Sequence, residues 1–399
     1  MNLMSADRFD AIVIGGGPGG AACARHLAAG GARVALFEEP RRHEKVCGGC
    51  LTAPAWDEVG RDPALRPTPV ERASFEWLSL APAARDPIRA VLPIGTEIVL
   101  VDRTRLDAHL LARAETAGAK VFRERVRRFC RAASGWSVET DVRRADAAIL
   151  VGADGCRSMV RSSLVGEWRP SHLAWGVAVR PEWADLGPAV CRPGEIRAIF
   201  LGVPPAIAGP GDRRHGYAYA FGPAGRPELG VWRRGSGRAA LDLLRGLLGR
   251  GWLSESAQQT CRVLGRPSPC IAVEAEFDRP TAGAGWLLVG DAAGHVNPLT
   301  GEGIRYALRG GRHAAEAILD GHLASYPERW QADYGEVLRW GARLVQFNER
   351  TEVTRRLILS ARKRPSSAAL IADLAFARGS YREIYLKGSL TYALRLIQP

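Results

Sequence analysis

No apolar run in the chain approaches the roughly 20 residues that a membrane-spanning helix needs. Nor is there room for a signal peptide, because Met1 leads through a few polar residues straight into an apolar stretch at 9–14. The eight cysteines are scattered apart from Cys47 and Cys50, which is not the spacing of a secreted disulfide framework. With no second CxxC and no His-x-x-x-His pair to complete a ligand set, no metal is expected. These absences predict a cytoplasmic protein. No stretch matches a nucleic-acid-binding motif, so the formal charge of +13 does not imply DNA or RNA. That charge comes mostly from arginine and fits anionic ligands, acidic partners or lipid heads; a GC-rich genome writing arginine on solvated faces accounts for it equally. At 399 residues the chain is long enough for a large core and more than one folding unit.

Two stretches carry the chemistry. In the first, residues 9–14 (FDAIVI) read as a strand, Gly15, Gly17, Pro18 and Gly20 sit in a GxGxxG turn, residues 21–29 read as a helix, and residues 33–37 form a second strand ending at Glu38. This is a dinucleotide-binding βαβ unit. Gly15 makes the tight turn, Gly17 lets a pyrophosphate approach, Gly20 packs helix on strand, and Glu38 meets ribose hydroxyls. An acid there repels a 2′-phosphate, so the ligand has free ribose hydroxyls, as FAD or NAD does. No second fingerprint of this kind is present, so an external reductant binds transiently or is itself a protein.

In the second, Trp286, Leu287, Leu288 and Val289 read as a buried parallel strand stopped by Gly290. Asp291 then lies at the strand's carboxyl end, where open α/β sheets bind ligands. Pro298, Gly301, Glu302 and Gly303 form a turn before a helix over 304–319, whose free N–H groups and positive dipole end face whatever the turn holds.

This second stretch resembles the second flavin-contacting motif of the p-hydroxybenzoate hydroxylase superfamily, and its GEGI variant resembles the geranylgeranyl reductase family. The resemblance implies FAD, with Asp291 on the ribityl chain and Gly290 and Pro298 to Ile304 around the isoalloxazine ring. VGADGCRSMVR, with Asp154 and Gly155, is similar to the superfamily's DG motif, associated with the pyrophosphate and the approach of the electron donor. Lys45, Val46, Cys47 and Gly48 match a KxCG stretch that packs near the flavin in the family, and DRxxLDxxL implies that Arg103 lies over the flavin. The donor implied is NAD(P)H or a reduced ferredoxin.

The expected fold is α/β: a Rossmann-type FAD-binding domain like that of p-hydroxybenzoate hydroxylase (1–60, 98–170 and 266–325), an inserted antiparallel substrate sheet (61–97 and 171–265), and a C-terminal helical region (326–399). Strands are expected at 70–80, 88–92, 98–103, 120–129, 135–140, 145–151, 173–179, 196–203, 216–221 and 228–232. Helices are expected at 104–117, 238–248 and 252–260, residues 270–277 as the return to the FAD domain, and 281–285 as a loop. Beyond residue 326, Tyr334, Val337, Leu338, Leu344, Val345, Leu357, Ile358, Ile384, Leu390, Leu394 and Ile397 have helical spacing. Arg355, Arg356, Arg362, Lys363 and Arg364 form a basic cluster that either rests on anionic lipid or is a solvated face.

Three chemistries follow. Tyr217, Tyr219 and Phe221 alternate, so their side chains leave one face of a strand; a family motif for an isoprenoid pocket lies here, with Tyr219 where that motif has tryptophan, and an ordinary buried sheet face is the alternative. GEGI and Cys47 favour hydride transfer from reduced flavin, reducing C=C bonds of an isoprenoid or other small apolar substrate, and the alternating strand suits a long apolar chain. A monooxygenase or halogenase acting on an aromatic or polyketide intermediate is the rival within enzymes: Tyr217, Tyr219 and His295 are its candidate bases, with His295 read alternatively as a structural neighbour of the flavin loop, and Lys45, the only lysine in the first hundred residues, is its candidate halogenase lysine. Cys47-x-x-Cys50 allows a third reading, a dithiol exchanging electrons with the flavin.

Overall fold

A computed structural model describes residues 7–40, 45–79, 88–94, 97–187, 190–202, 216–261, 263–271, 277, 279–348, 351–376 and 378–386. The expected helical positions Leu390, Leu394 and Ile397 lie outside them, as do Leu80, Val203, most of 272–278 and residues 41–44 of the KxCG loop.

The first sheet runs Ala282–Gly283, Trp286–Leu288, Arg144–Gly152, Asp7–Ile14, Val34–Phe37, Lys120–Phe122. All but the first of these pair in parallel. Its central strands are buried on both faces, which is why they read as unbroken apolar runs. Pro18–Ala29 covers one face, with Ile304–Leu319 packed directly on it. Small residues make that approach close: a side chain on Gly311 would enter the backbone oxygen of Gly19, and one on Gly19 would meet Val289 and the Ala307 carbonyl.

The second sheet runs Val263–Ile271, Leu173–Val179, Glu228–Arg234, Gly216–Phe221, Glu195–Gly202, Arg72–Ser79, Ile88–Pro93. It is not wholly antiparallel. Glu195–Gly202 lies parallel to Arg72–Ser79, because these strands come from separate insertions and the intervening passage through the first sheet supplies the long crossover that parallel pairing needs. The boundary expected at 265/266 also moves, since Val263–Ile271 pairs with Leu173–Val179 and belongs to this sheet. Residues 120–129 are not one strand but Lys120–Phe122 and the start of Arg128–Ala132, and the expected loop at 281–285 contains the two-residue strand Ala282–Gly283. The helix expected from residue 252 begins at Glu255, where Ser254 caps it by accepting from the Ala257 N–H.

The C-terminal helices are not an appendage. Tyr326 donates to the Leu288 carbonyl at 2.8 Å and Trp330 Nε1 to Thr281 Oγ1 at 3.0 Å, anchoring the region to the strand before Asp291. Thr351–Lys363 and Pro365–Ala375 then pack against Arg72–Ser79 and Ile88–Pro93.

Candidate active site

The glycine-rich turn has the geometry its spacing predicts. Gly15 takes φ +104°, and a side chain there would strike Ala153; one on Gly20 would strike the Gly15 carbonyl. Gly17, by contrast, has no atom within 4 Å of where a side chain would begin. The turn is therefore tight behind and open in front, and the unpaired N–H groups opening the Pro18–Ala29 helix face that space. Glu38 is buried at the end of its strand, and its Oε2 accepts the Gly16 N–H at 2.6 Å.

A cavity of about 410 Å³ begins beside Pro18 and Asp291 and is walled by the turn Gly301, Glu302, Gly303 and Ile304. Gly290 (φ +63°) and Gly301 (φ +75°) shape this wall, and the Asp291 carboxylate stands beside Gly303, at the start of the Ile304–Leu319 helix. Anion-favouring helix ends, a carboxylate among hydroxyl-reaching positions and an open glycine turn are what a dinucleotide with a flat ring requires. These residues fit FAD.

The KxCG loop forms the opposite wall. Cys47, Gly48 and Cys50 line the cavity together with Arg103. Arg103 is buried, ion-paired with Asp107 at 2.9 Å, and lies beside Cys47. A side chain on Gly48 would lie inside the Phe221 ring, so only glycine brings this loop against the second sheet. Burial, with Glu302 nearby, pushes the Cys50 thiol up, away from the thiolate a dithiol relay uses.

Tyr217, Tyr219 and Phe221 all face the cavity. Tyr217 donates to the Thr300 carbonyl at 2.7 Å, tying the second sheet to the flavin turn. Tyr219 donates to Glu228 Oε1 at 2.8 Å; Glu228 pairs with Arg180 at 2.7 Å, and Arg180 donates to the Lys45 carbonyl. Burial raises the Glu228 carboxyl against the pull of Arg180. Glu302 accepts from Thr52 Oγ1 at 2.8 Å, and burial raises its carboxyl too.

Several expected site residues stand elsewhere. Asp154 accepts from Ser158 and from the Met159 N–H at 2.7 Å, so its carboxylate caps its own helix, and its backbone is what abuts the Gly15 turn. Gly155 (φ +78°) turns the chain there. Pro298 packs beside Gly341 on the Glu336–Asn348 helix. His295 is no base for the cavity: it is fully buried, with Nδ1 3.0 Å from the Tyr334 hydroxyl and its ring centroid 4.4 Å from that of Trp330.

Burial pushes the His295 imidazole down from 6.5 to about 3, so it is neutral when folded. The unfolded chain takes up a proton at this residue below about pH 6.5 and the folded chain does not. The stability it contributes is whole above that pH and declines as pH falls towards 3. Between pH 6.5 and 5 the wild type is expected to lose about 2 kcal/mol more than His295→Gln. Parallel denaturation curves for the two proteins over that interval would remove this assignment.

Away from the flavin turn the cavity continues as an apolar arm. Phe75, Ile196, Ala198 and Phe200 form its floor, and Leu357, Ile358, Ile371, Leu374, Ala375 and Phe376 its roof. This roof was not expected, because helical spacing marks an apolar face without naming what it covers.

The pyridine nucleotide-disulphide oxidoreductase family model matches residues 9–141. Digeranylgeranylglycerophospholipid reductase 1 of Methanopyrus kandleri is 31% identical over 370 residues, which cover 85% of this chain and 90% of that protein. The chain belongs to the geranylgeranyl reductase family. It is an FAD-dependent oxidoreductase by that membership. Another relative in the family's range is the menaquinone reductase of Mycolicibacterium smegmatis, 28% identical over 81% of this chain and 79% of that one. Among solved structures, a geranylgeranyl bacteriochlorophyll reductase-like protein of Thermoplasma acidophilum superposes with a TM-score of 0.71 at 17% identity, covering 90% of this chain and 93% of that one, which shows the shared fold.

Proposed function

We propose that this family member saturates carbon–carbon double bonds of a long isoprenoid chain, with NAD(P)H or a reduced ferredoxin as the transient electron donor. The apolar arm carries the reading. Among the described residues no charged side chain lines the arm, whereas Lys45, Arg103, Asp291 and Glu302 cluster at the flavin end of the same cavity. A chain held by dispersion and water exclusion alone suits such a lining, and a small phenol that must be deprotonated does not.

Bound FAD, once reduced, supplies the hydride; the protein positions the chain and supplies the proton. The Tyr217 and Tyr219 hydroxyl protons are already directed at the Thr300 carbonyl and Glu228. Cys47 lines the cavity beside Arg103. In this reading Cys47 delivers the proton, and the Tyr219, Glu228 and Arg180 array holds the loop that carries it.

Anaerobic incubation of the reduced, FAD-loaded protein with a detergent-dispersed polyprenyl substrate is expected to yield chains heavier by one hydrogen molecule per double bond. Cys47→Ala is expected to lower single-turnover reduction on the order of a hundredfold, the scale of general acid catalysis, with flavin absorbance retained. An oxygen-dependent hydroxylated product, with no saturation when oxygen is absent, would sink the proposal.

A further inference from the structure

The apolar arm comes to the surface at Val353, at the start of Thr351–Lys363. Leu344 and Val353 both line the cavity, and Val353 is 42% exposed. Around this opening the surface has a distinct composition. One turn before Leu344, Trp340 is half-buried, with Arg343 over its ring at 4.7 Å and Tyr385 at 5.2 Å between centroids. Leu386, next to Tyr385, is 52% exposed. Val353, Arg356, Ser360 and Lys363 fall at i, i+3, i+7 and i+10 along one flank of their helix. Arg362, Lys363 and Arg364 are exposed at its end. Where the structure describes side-chain exposure on residues 336–386, the exposed acids are Glu336 and Glu383.

We propose that this rim is a docking surface for an anionic lipid bilayer, seated so that the arm opens into the hydrocarbon. The proposal rests on the isoprenoid reading above. Tryptophan and tyrosine with one apolar end and one wet end suit the headgroup level, exposed valine and leucine suit the acyl boundary, and the arginines and lysine suit anionic headgroups. Charge complementarity and continuity with the interior cavity favour a bilayer over a protein partner. A protein would cover the opening through which the chain must pass; a bilayer supplies the chain through it. Among the described residues no helix is long and apolar enough to cross a membrane, so the contact is made at its surface.

The FAD-loaded wild type is expected to cosediment with vesicles of phosphatidylcholine containing about one third phosphatidylglycerol, and about tenfold less with phosphatidylcholine alone. Added salt should weaken the retention. None of the three residues changed in the triple variant Leu386→Asp, Arg362→Glu, Lys363→Glu lines the cavity. The variant is expected to lose vesicle binding while keeping its flavin absorbance and its turnover of detergent-dispersed chain. Arg343→Glu alone should give a partial loss. Equal retention on the two vesicle types, or a triple variant that sediments like the wild type, overturns the docking surface. A wild type that binds anionic vesicles but saturates no dispersed chain leaves the docking surface standing and overturns the isoprenoid reading instead.

Discussion

Ala198→Trp is expected to lower kcat/KM for a long prenyl chain by about a hundredfold and to leave a short prenyl substrate within a few-fold of wild type. Ala198 lies in the middle of the cavity floor, with Phe75 opposite it on one neighbouring strand and Tyr219 on the other. The row continues to Gly230, whose missing side chain leaves the space the Tyr219 ring occupies. Large and small side chains therefore alternate across the sheet, and the trough for the chain runs over the small ones. An indole at 198 takes up that trough beyond the flavin turn without touching Asp291, Gly301 or Cys47. Each displaced methylene is worth roughly 1–3 kcal/mol of transition-state binding, so even one or two lost from the arm account for the effect. Flavin absorbance and midpoint of thermal unfolding serve as controls. Equal loss for long and short substrates would mean that the arm does not hold the chain.

The flavin half of the site is legible in the sequence because its chemistry is local. Gly15, Gly17 and Gly20 act within one turn, and Gly290 to Ile304 within one strand, turn and helix, so spacing alone conveys the geometry. The substrate half depends on contacts between residues far apart in the chain. Alternation puts Tyr217, Tyr219 and Phe221 on one face; nothing in it says that Phe221 requires glycine at 48, or that Tyr219 requires Glu228 and the gap at Gly230. Parallel pairing of Glu195–Gly202 with Arg72–Ser79 is invisible for the same reason, since neither strand's pattern specifies a partner more than a hundred residues away. His295 reads two ways in the sequence, as a base or as a structural neighbour of the flavin loop. It stands four residues after Asp291, yet Tyr334 and Trp330, from the C-terminal helices, decide its environment. Amphipathic spacing in those helices announces a buried face, and the cavity they cover becomes apparent only when the second sheet is beneath them.

Glu228→Ala is expected to destabilise the protein by about 3 kcal/mol, the lower end of the cost of breaking a buried ion pair by removing one partner, because Arg180 is only partly buried. Glu228 is 2% exposed, its Oε2 receives two nitrogens of Arg180, and its Oε1 receives the Tyr219 hydroxyl. Removing it deprives two side chains at once, Arg180 and Tyr219, so a double-mutant cycle separates them. Glu228→Ala with Arg180→Ala should be less destabilised than Glu228→Ala alone, because the arginine's charge goes with the carboxylate that offsets it. Replacing the pair by Leu and Met should recover most of the stability, since packed apolar groups of similar volume commonly match a buried ion pair. Turnover should not recover with it. The Lys45 carbonyl loses the guanidinium that holds it and Tyr219 loses its acceptor, so the Cys47 loop is free to shift, and a displacement of about 1 Å at a reacting group costs on the order of a hundredfold. A Leu and Met pair that restores both stability and turnover would show that the array only fills space. A stable but slow enzyme, with flavin affinity unchanged, would show that its task is to hold the loop.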